Sequence, residues 1–145
     1  MFNKLSLYIL LLITFIFTFD RIIKNLIIKN FIEETVYINN FVNLDLIWNT
    51  GIGFGLLSSD TFLIYNLITG LIGLVIIILF YFVIISNKLD KLIFSVIIGG
   101  AIGNLYDRLF YNAVPDFIDL HYNTFHWFTF NIADVFITLG VLAMI

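Results

Sequence analysis

The side chains able to do chemistry are few: ten carboxylates, two histidines (His121 and His126) and no cysteine in 145 residues. Without cysteine, disulfides, thiolate metal sites and a cysteine nucleophile are excluded. Neither a Ser-His-Asp set nor a His-Glu-x-x-His helix can be assembled. Chemistry therefore falls to carboxylates, amides, hydroxyls and the two histidines. His121 and His126 stand among aromatics, off a shared helix face and with no carboxylate at metal-ligand spacing, so they read as interfacial anchors beside Tyr122 and Trp127. No metal or other cofactor is expected.

Five segments gather the remaining polar groups. Asp20 and Lys24, at i and i+4, share a helix face; an exposed pair of this kind contributes about 0.3–0.5 kcal/mol, but near a membrane both charges are costly. Asn49-Thr-Gly51-Ile-Gly53-Phe-Gly55 follows a strand-like run and is either a hairpin turn or a ligand-contacting loop. Its glycine spacing departs from the dinucleotide fingerprint. Gly99, Gly103 and Asp107 recur every four residues, a close-packing stripe that draws Asn104 and Asp107 into a bundle, with Arg108 or an amide compensating the charge. That makes Asp107 structural. Asp116 follows the one proline, Pro115, in a turn. Asn131 and Asp134, at i and i+3, suit an N-cap and a first-turn acid, yet an acid at a membrane centre costs about 2.5–3.5 kcal/mol.

Positioning these groups falls to membrane helices. The chain is 61% apolar and 12% charged, with a mean hydropathy of +1.07, whereas soluble domains average about 25% charged. A soluble globular protein is excluded. The formal charge is −3 and there is no basic run, so nucleic acid is not an expected partner. Residues 5–19, 61–87, 92–106 and 120–133 carry no charge. Only the second stretch clears the roughly 20 residues a span needs; the others reach that length by carrying Asp20, Asp107 and Asp134. The pattern predicts a membrane all-α fold, a four-transmembrane-helix bundle with helices near 4–26, 61–86, 91–110 and 127–145 and a small β-rich extramembrane segment over 27–60 between helices one and two. One domain, 1–145, is expected, and the first apolar run lacks a small-residue cleavage site, so it reads as a retained helix.

Antiparallel spans collect Asp20, Asp107, Asp116, Asp119 and Asp134 on one side with Glu33, Glu34, Asp45 and Asp60, leaving Asp90 on the other. Acids grouped in this way mark a functional site. Lys4, Lys88 and Lys91 oppose Arg21, Lys24, Lys29 and Arg108; counting Arg21 and Lys24 as paired helix charges leaves a bias toward a cytoplasmic N-terminus. On the acids alone, an enzyme and a transporter with an ion path lined by Asp20, Asp107 and Asp134 stand level. A lipid-head-group transferase lacks its paired metal-binding acids.

Taken in order, Asp20-Arg-Ile-Ile-Lys24, Asn49-Thr-Gly-Ile-Gly-Phe-Gly55, Gly99-Gly-Ala-Ile-Gly-Asn-Leu-Tyr-Asp-Arg108, Val114-Pro-Asp-Phe117 and Phe130-Asn-Ile-Ala-Asp134 resemble the five ordered boxes of bacterial lipoprotein signal peptidase, also called signal peptidase II. The resemblance covers nearly the whole chain. It implies an intramembrane aspartic endopeptidase, multi-pass in the bacterial inner (cytoplasmic) membrane, with both termini cytoplasmic, no cofactor, and its site and the 27–60 segment on the extracytoplasmic side. The implied substrates are prolipoproteins diacylglycerylated on a cysteine and cut just before it. Membrane lipid is the other implied partner, and a monomer is expected. Box by box, Asp116 and Asp134 are the implied catalytic pair, while Asp20, Lys24, Asn49, Gly51, Asn104, Asp107, Arg108 and Asn131 hold the site or bind substrate and the globomycin class of inhibitor. Gly53 stands where Ala or Ser is common, Phe128 where a proline often precedes the Phe-Asn pair, and Val135 where Ser is frequent. Only residues 135–145 follow Asp134, without the basic tail of many relatives, so a short fourth helix is expected. Two carboxylates facing one water would share a proton near neutral pH, one taking a proton from the attacking water and the other hydrogen-bonding the developing oxyanion.

Overall fold

The computed structural model describes residues 4–30, 35–51 and 62–145. In chain order these form α1 (Lys4–Asn30), β1 (Val36–Asn39), β2 (Val42–Asn49), α2 (Phe62–Ile85), α3 (Lys88–Tyr111), β3 (Val114–Tyr122), β4 (Phe125–Phe130) and α4 (Ile132–Leu142). Helices α1, α2 and α3 are long and apolar enough to cross a membrane. Their outer faces carry Phe15, Leu63, Ile77 and Ile84 away from any protein partner, an arrangement that water opposes and lipid hydrocarbon does not.

Helix α3 is the hub, packing against α1, α2 and α4. Its glycine stripe explains why. A Cβ on Gly99 would stand 2.8 Å from the Ile16 Cβ of α1, and one on Gly100 2.6 Å from the Ala133 carbonyl oxygen of α4. Only a bare backbone permits both approaches. The helix is capped at its start by Asn87, whose side chain accepts from the Asp90 N–H, and ends at Asn112 in the left-handed region, φ 55°, a conformation asparagine tolerates.

The strands form one antiparallel sheet in the order β1-β2-β3-β4. Half of it lies between α3 and α4 rather than between α1 and α2, which corrects the expectation of β structure over 27–60 alone. The fourth helix also begins at Ile132, not near 127, and has 11 residues. At 1.5 Å per residue that is about 16 Å, against a hydrocarbon core of roughly 30 Å. Phe125-His-Trp-Phe-Thr-Phe130 lacks Asp, Glu, Lys and Arg, as a span would, but has the aromatic content of a strand, and pairing with β3 decides in favour of the strand. At the near end Asn49 pairs with Val114, Trp48 with Pro115 and Ile47 with Asp116. There β3 has β2 as its one recorded neighbour, so the missing proline N–H is tolerated. Helix α1 runs to Asn30, past the expected end at 26, whereas Glu33, Glu34, Gly53, Gly55 and Asp60 lie outside the described residues.

Candidate active site

Two groups of acids lie where the helices meet the sheet. In the first, Asp20 and Lys24 of α1 form the expected i,i+4 pair at 2.9 Å, with both side chains fully buried. Lys24 Nζ donates to Asp107 Oδ2 at 2.7 Å and to Asn104 Oδ1 at 2.8 Å, so one ammonium ties α1 to α3. Arg21 Nη1 stands 2.6 Å from Asp107 Oδ1, and the Arg21 guanidinium lies over the Tyr106 ring at 5.0 Å. Asp20 Oδ1 accepts the Ala133 N–H of α4 at 3.0 Å. Two cations thus balance two buried anions, which is what makes their burial tolerable. The partners of Asp107 are Lys24 and Arg21, not its neighbour Arg108. Consecutive helix residues point about 100° apart, so adjacency in sequence is not proximity in space. With Asp20 and Asp107 so engaged, an ion path lined by these acids loses its ligands.

The second group is Asp116 of β3 and Asp134 of α4, and its partners are amides. Asn49 Nδ2 donates to Asp116 Oδ2 at 2.8 Å, and Asn131 Nδ2 donates to Asp116 Oδ1 at 2.6 Å. Asn104 Nδ2 donates to Asp134 Oδ1 at 2.8 Å. Asn131 also caps α4: its Oδ1 accepts the Asp134 N–H at 3.1 Å, while Asp134 Oδ2 accepts the Asn131 N–H at 3.2 Å, a reciprocal capping box.

Each amide is held in orientation by an obligate donor on its oxygen. For Asn104 the donor is the Lys24 ammonium, for Asn131 the Asp134 N–H, and for Asn49 the Gly51 N–H at 2.8 Å. None of these donors can accept, so every NH2 end must face a carboxylate. Burial first, and the Asp134 charge second, push the Asp116 carboxyl up to about 6, opposed by the Asn49 and Asn131 donors.

Both acids line a cavity of about 250 Å³ with Asn49, Asn104, Arg108 and Asn131, closed on its apolar side by Ile72, Ala101, Val114 and Ile137. Arg108 is 3% exposed. Its Nη2 donates to the Gly51 carbonyl, and its guanidinium lies 5.7 Å from the Tyr65 ring centre. The Tyr65 hydroxyl donates back to the Arg108 carbonyl at 2.9 Å. Nε and Nη1 of Arg108 have no hydrogen-bond partner among the described residues. A second, apolar cavity of about 220 Å³, lined by Phe128, Phe130, Val135, Thr138 and Leu139, opens on the other side of Asp134.

All ten residues singled out in the sequence therefore lie in these two connected groups. Tyr65 was missed, since a tyrosine in an apolar helix carries no sequence mark of the arginine it supports. His121 and His126, expected to have no carboxylate at metal-ligand spacing, are instead direct cross-strand partners beside a shared carboxylate, Asp119.

The family described as signal peptidase (SPase) II matches residues 12–145. The chain belongs to the signal peptidase II family. A lipoprotein signal peptidase of Pelagibacter ubique (strain HTCC1062) is 51% identical over 99% of this chain and 90% of its own length. One from Francisella tularensis subsp. novicida (strain U112) is 42% identical over 77% of this chain and 72% of its own. Two solved structures, each described as a bacterial membrane enzyme determined by the in meso method, superpose with TM-scores of 0.77 and 0.74 at 30% and 29% identity. They share 94% of this chain with 84% and 89% of theirs. The chain is thus a multi-pass membrane peptidase of the signal peptidase II family, built from apolar helices and one antiparallel sheet.

Proposed function

We propose that this chain is an aspartic endopeptidase that removes the signal peptide from diacylglyceryl-modified prolipoproteins, cutting just before the lipidated cysteine, with Asp116 and Asp134 as the catalytic pair. The observation that carries this reading is the contrast in partners: Asp20 and Asp107 are paired with cations, whereas Asp116 and Asp134, the two acids on the cavity wall, are held by amides and backbone, with no cation on their oxygens among the described residues. With one shared proton the pair carries a single negative charge, matched by Arg108 on the same cavity wall. The ionised member takes a proton from water as that water attacks the scissile carbonyl, and the protonated member hydrogen-bonds the oxyanion. The proton belongs to the coupled pair.

The other residues have supporting tasks. Asn49, Asn104 and Asn131 orient the carboxylates, and Gly51 and Arg108 face the peptide. Asp20, Lys24 and Asp107 hold α1, α3 and α4 together behind Asn104. The apolar cavity beside Asp134 suits the acyl chains. Residues 1–145 act as one integral domain of the bacterial cytoplasmic membrane, a monomer with α4 as a short fourth membrane helix and the sheet and site on the extracytoplasmic side.

The test is a gel-shift assay of purified protein with a diacylglyceryl-modified prolipoprotein. Wild type should release the signal peptide, and D116N and D134N should not. Parental rates in either variant would overturn the assignment.

A further inference from the structure

The hairpin of β3 and β4 carries a second cluster of polar groups that the peptidase reading does not use. His121 and His126 face each other across the strands, after a register shift between Leu120 and His121. Asp119, two residues before His121, falls on the same side. Its Oδ2 lies 2.7 Å from His126 Nδ1 and 3.5 Å from His121 Nδ1, and one ligand atom from each residue fits within 4.8 Å of the others.

Two features make this more than a surface grouping. Asp119 is 3% exposed and has no lysine or arginine beside it among the described residues, and a buried carboxylate needs a compensating positive charge. His121 is 5% exposed, and its Nδ1 is buried without a hydrogen-bond partner. An imidazole nitrogen turned toward a carboxylate but beyond hydrogen-bond reach is left with a lone pair or a proton that nothing satisfies.

We propose that Asp119, His121 and His126 bind a divalent zinc ion that clamps β3 to β4. Two imidazoles and one carboxylate are donors that zinc takes in tetrahedral geometry at about 2.0–2.2 Å, which sets ligand atoms about 3.4 Å apart. The 3.5 Å separation between His121 and Asp119 already meets that value. The His126 contact must open from 2.7 Å, by a turn of the His126 ring, which stacks on His121 at 5.3 Å and is exposed. Its exposure also provides the entry path and leaves a fourth position for water. The ion supplies the charge that Asp119 lacks and the partner that His121 Nδ1 lacks. Asp116 precedes Asp119 by three residues and so leaves the opposite face of β3, which makes this site separate from the peptidase cavity.

The experiment is a calorimetric titration of Zn2+ into the full chain, tag-free and in detergent, for wild type, D119N and H126Q, with a zinc-edge X-ray absorption spectrum of the loaded wild type. Wild type should bind one ion, and each variant should lose more than the about 10- to 100-fold that an outer-shell change costs. Zinc should raise the Tm of wild type but not of the variants, and the spectrum should show two imidazoles. Absence of saturable binding, undiminished binding in H126Q, or a spectrum without two imidazoles would overturn the proposal. If D119N fails to fold, the H126Q titration and the wild-type spectrum still decide.

Discussion

The two groups of buried acids differ in what faces them. Asp20 and Asp107 meet Lys24 and Arg21, cation against anion. Asp116 and Asp134 meet three asparagine amides and a backbone N–H. A cation at 3 Å offsets the charge of its carboxylate, and the loss of either partner would strand the other's charge in the interior. An amide favours the ionised form more weakly and strands nothing when the acid takes a proton. The first arrangement builds a framework and the second suits the proposed proton transfer, within one small bundle.

The comparison breaks most sharply by substitution to asparagine. D116N and D134N should each lower cleavage by about 10²–10⁴-fold, the usual contribution of a positioned acid or base, while the Tm holds or rises because a costly buried charge is gone. D107N should do the reverse to stability, leaving Lys24 and Arg21 short of an anion and lowering the Tm. If D116N lowered the Tm as much as D107N, the distinction between the two groups would be lost.

Next in size, removing the shared cation with K24M should destabilise the fold by about 3–5 kcal/mol, as expected when one partner leaves a buried pair. Adding D107N to K24M should recover part of that loss, and chemical denaturation of the four proteins measures the coupling. A smaller effect is expected where the groups touch. N104A deletes the donor to Asp134 Oδ1 and the acceptor for Lys24, so cleavage should fall by about 10- to 100-fold, the equivalent of one hydrogen bond to a charged group. A drop in Tm without a drop in rate would place Asn104 in the framework alone.

The smallest effect concerns pH. With its carboxyl raised to about 6, native Asp116 keeps a proton that the unfolded chain releases near 4. Between those values the native state binds more protons, so this group's contribution to stability falls as pH rises and is constant on either side. The Tm difference between wild type and D116N should therefore narrow or reverse by a few degrees over about pH 4–6. A difference independent of pH would mean that Asp116 titrates as an ordinary carboxylate.

Much of the framework was legible in the sequence because helical spacing is a local property. Asp20 with Lys24, the Gly99–Gly103–Asp107 stripe and the Asn131–Asp134 cap each follow from positions three or four apart. What escaped depended on long-range pairing. Strand β4 overlaps the expected start of a membrane helix near 127, since the absence of charged residues does not distinguish an aromatic strand from a span. The partner of Arg108 is the Gly51 carbonyl, and a backbone atom leaves no sequence signature. His121 and His126 looked unrelated until a register shift in the sheet set them face to face.

Asn131 has one side chain and two tasks: its oxygen starts α4 and its nitrogen holds Asp116. Nucleating that helix and assembling the carboxylate pair are therefore a single event. Because α4 follows every other described element in chain order, the two carboxylates come together only when this turn closes.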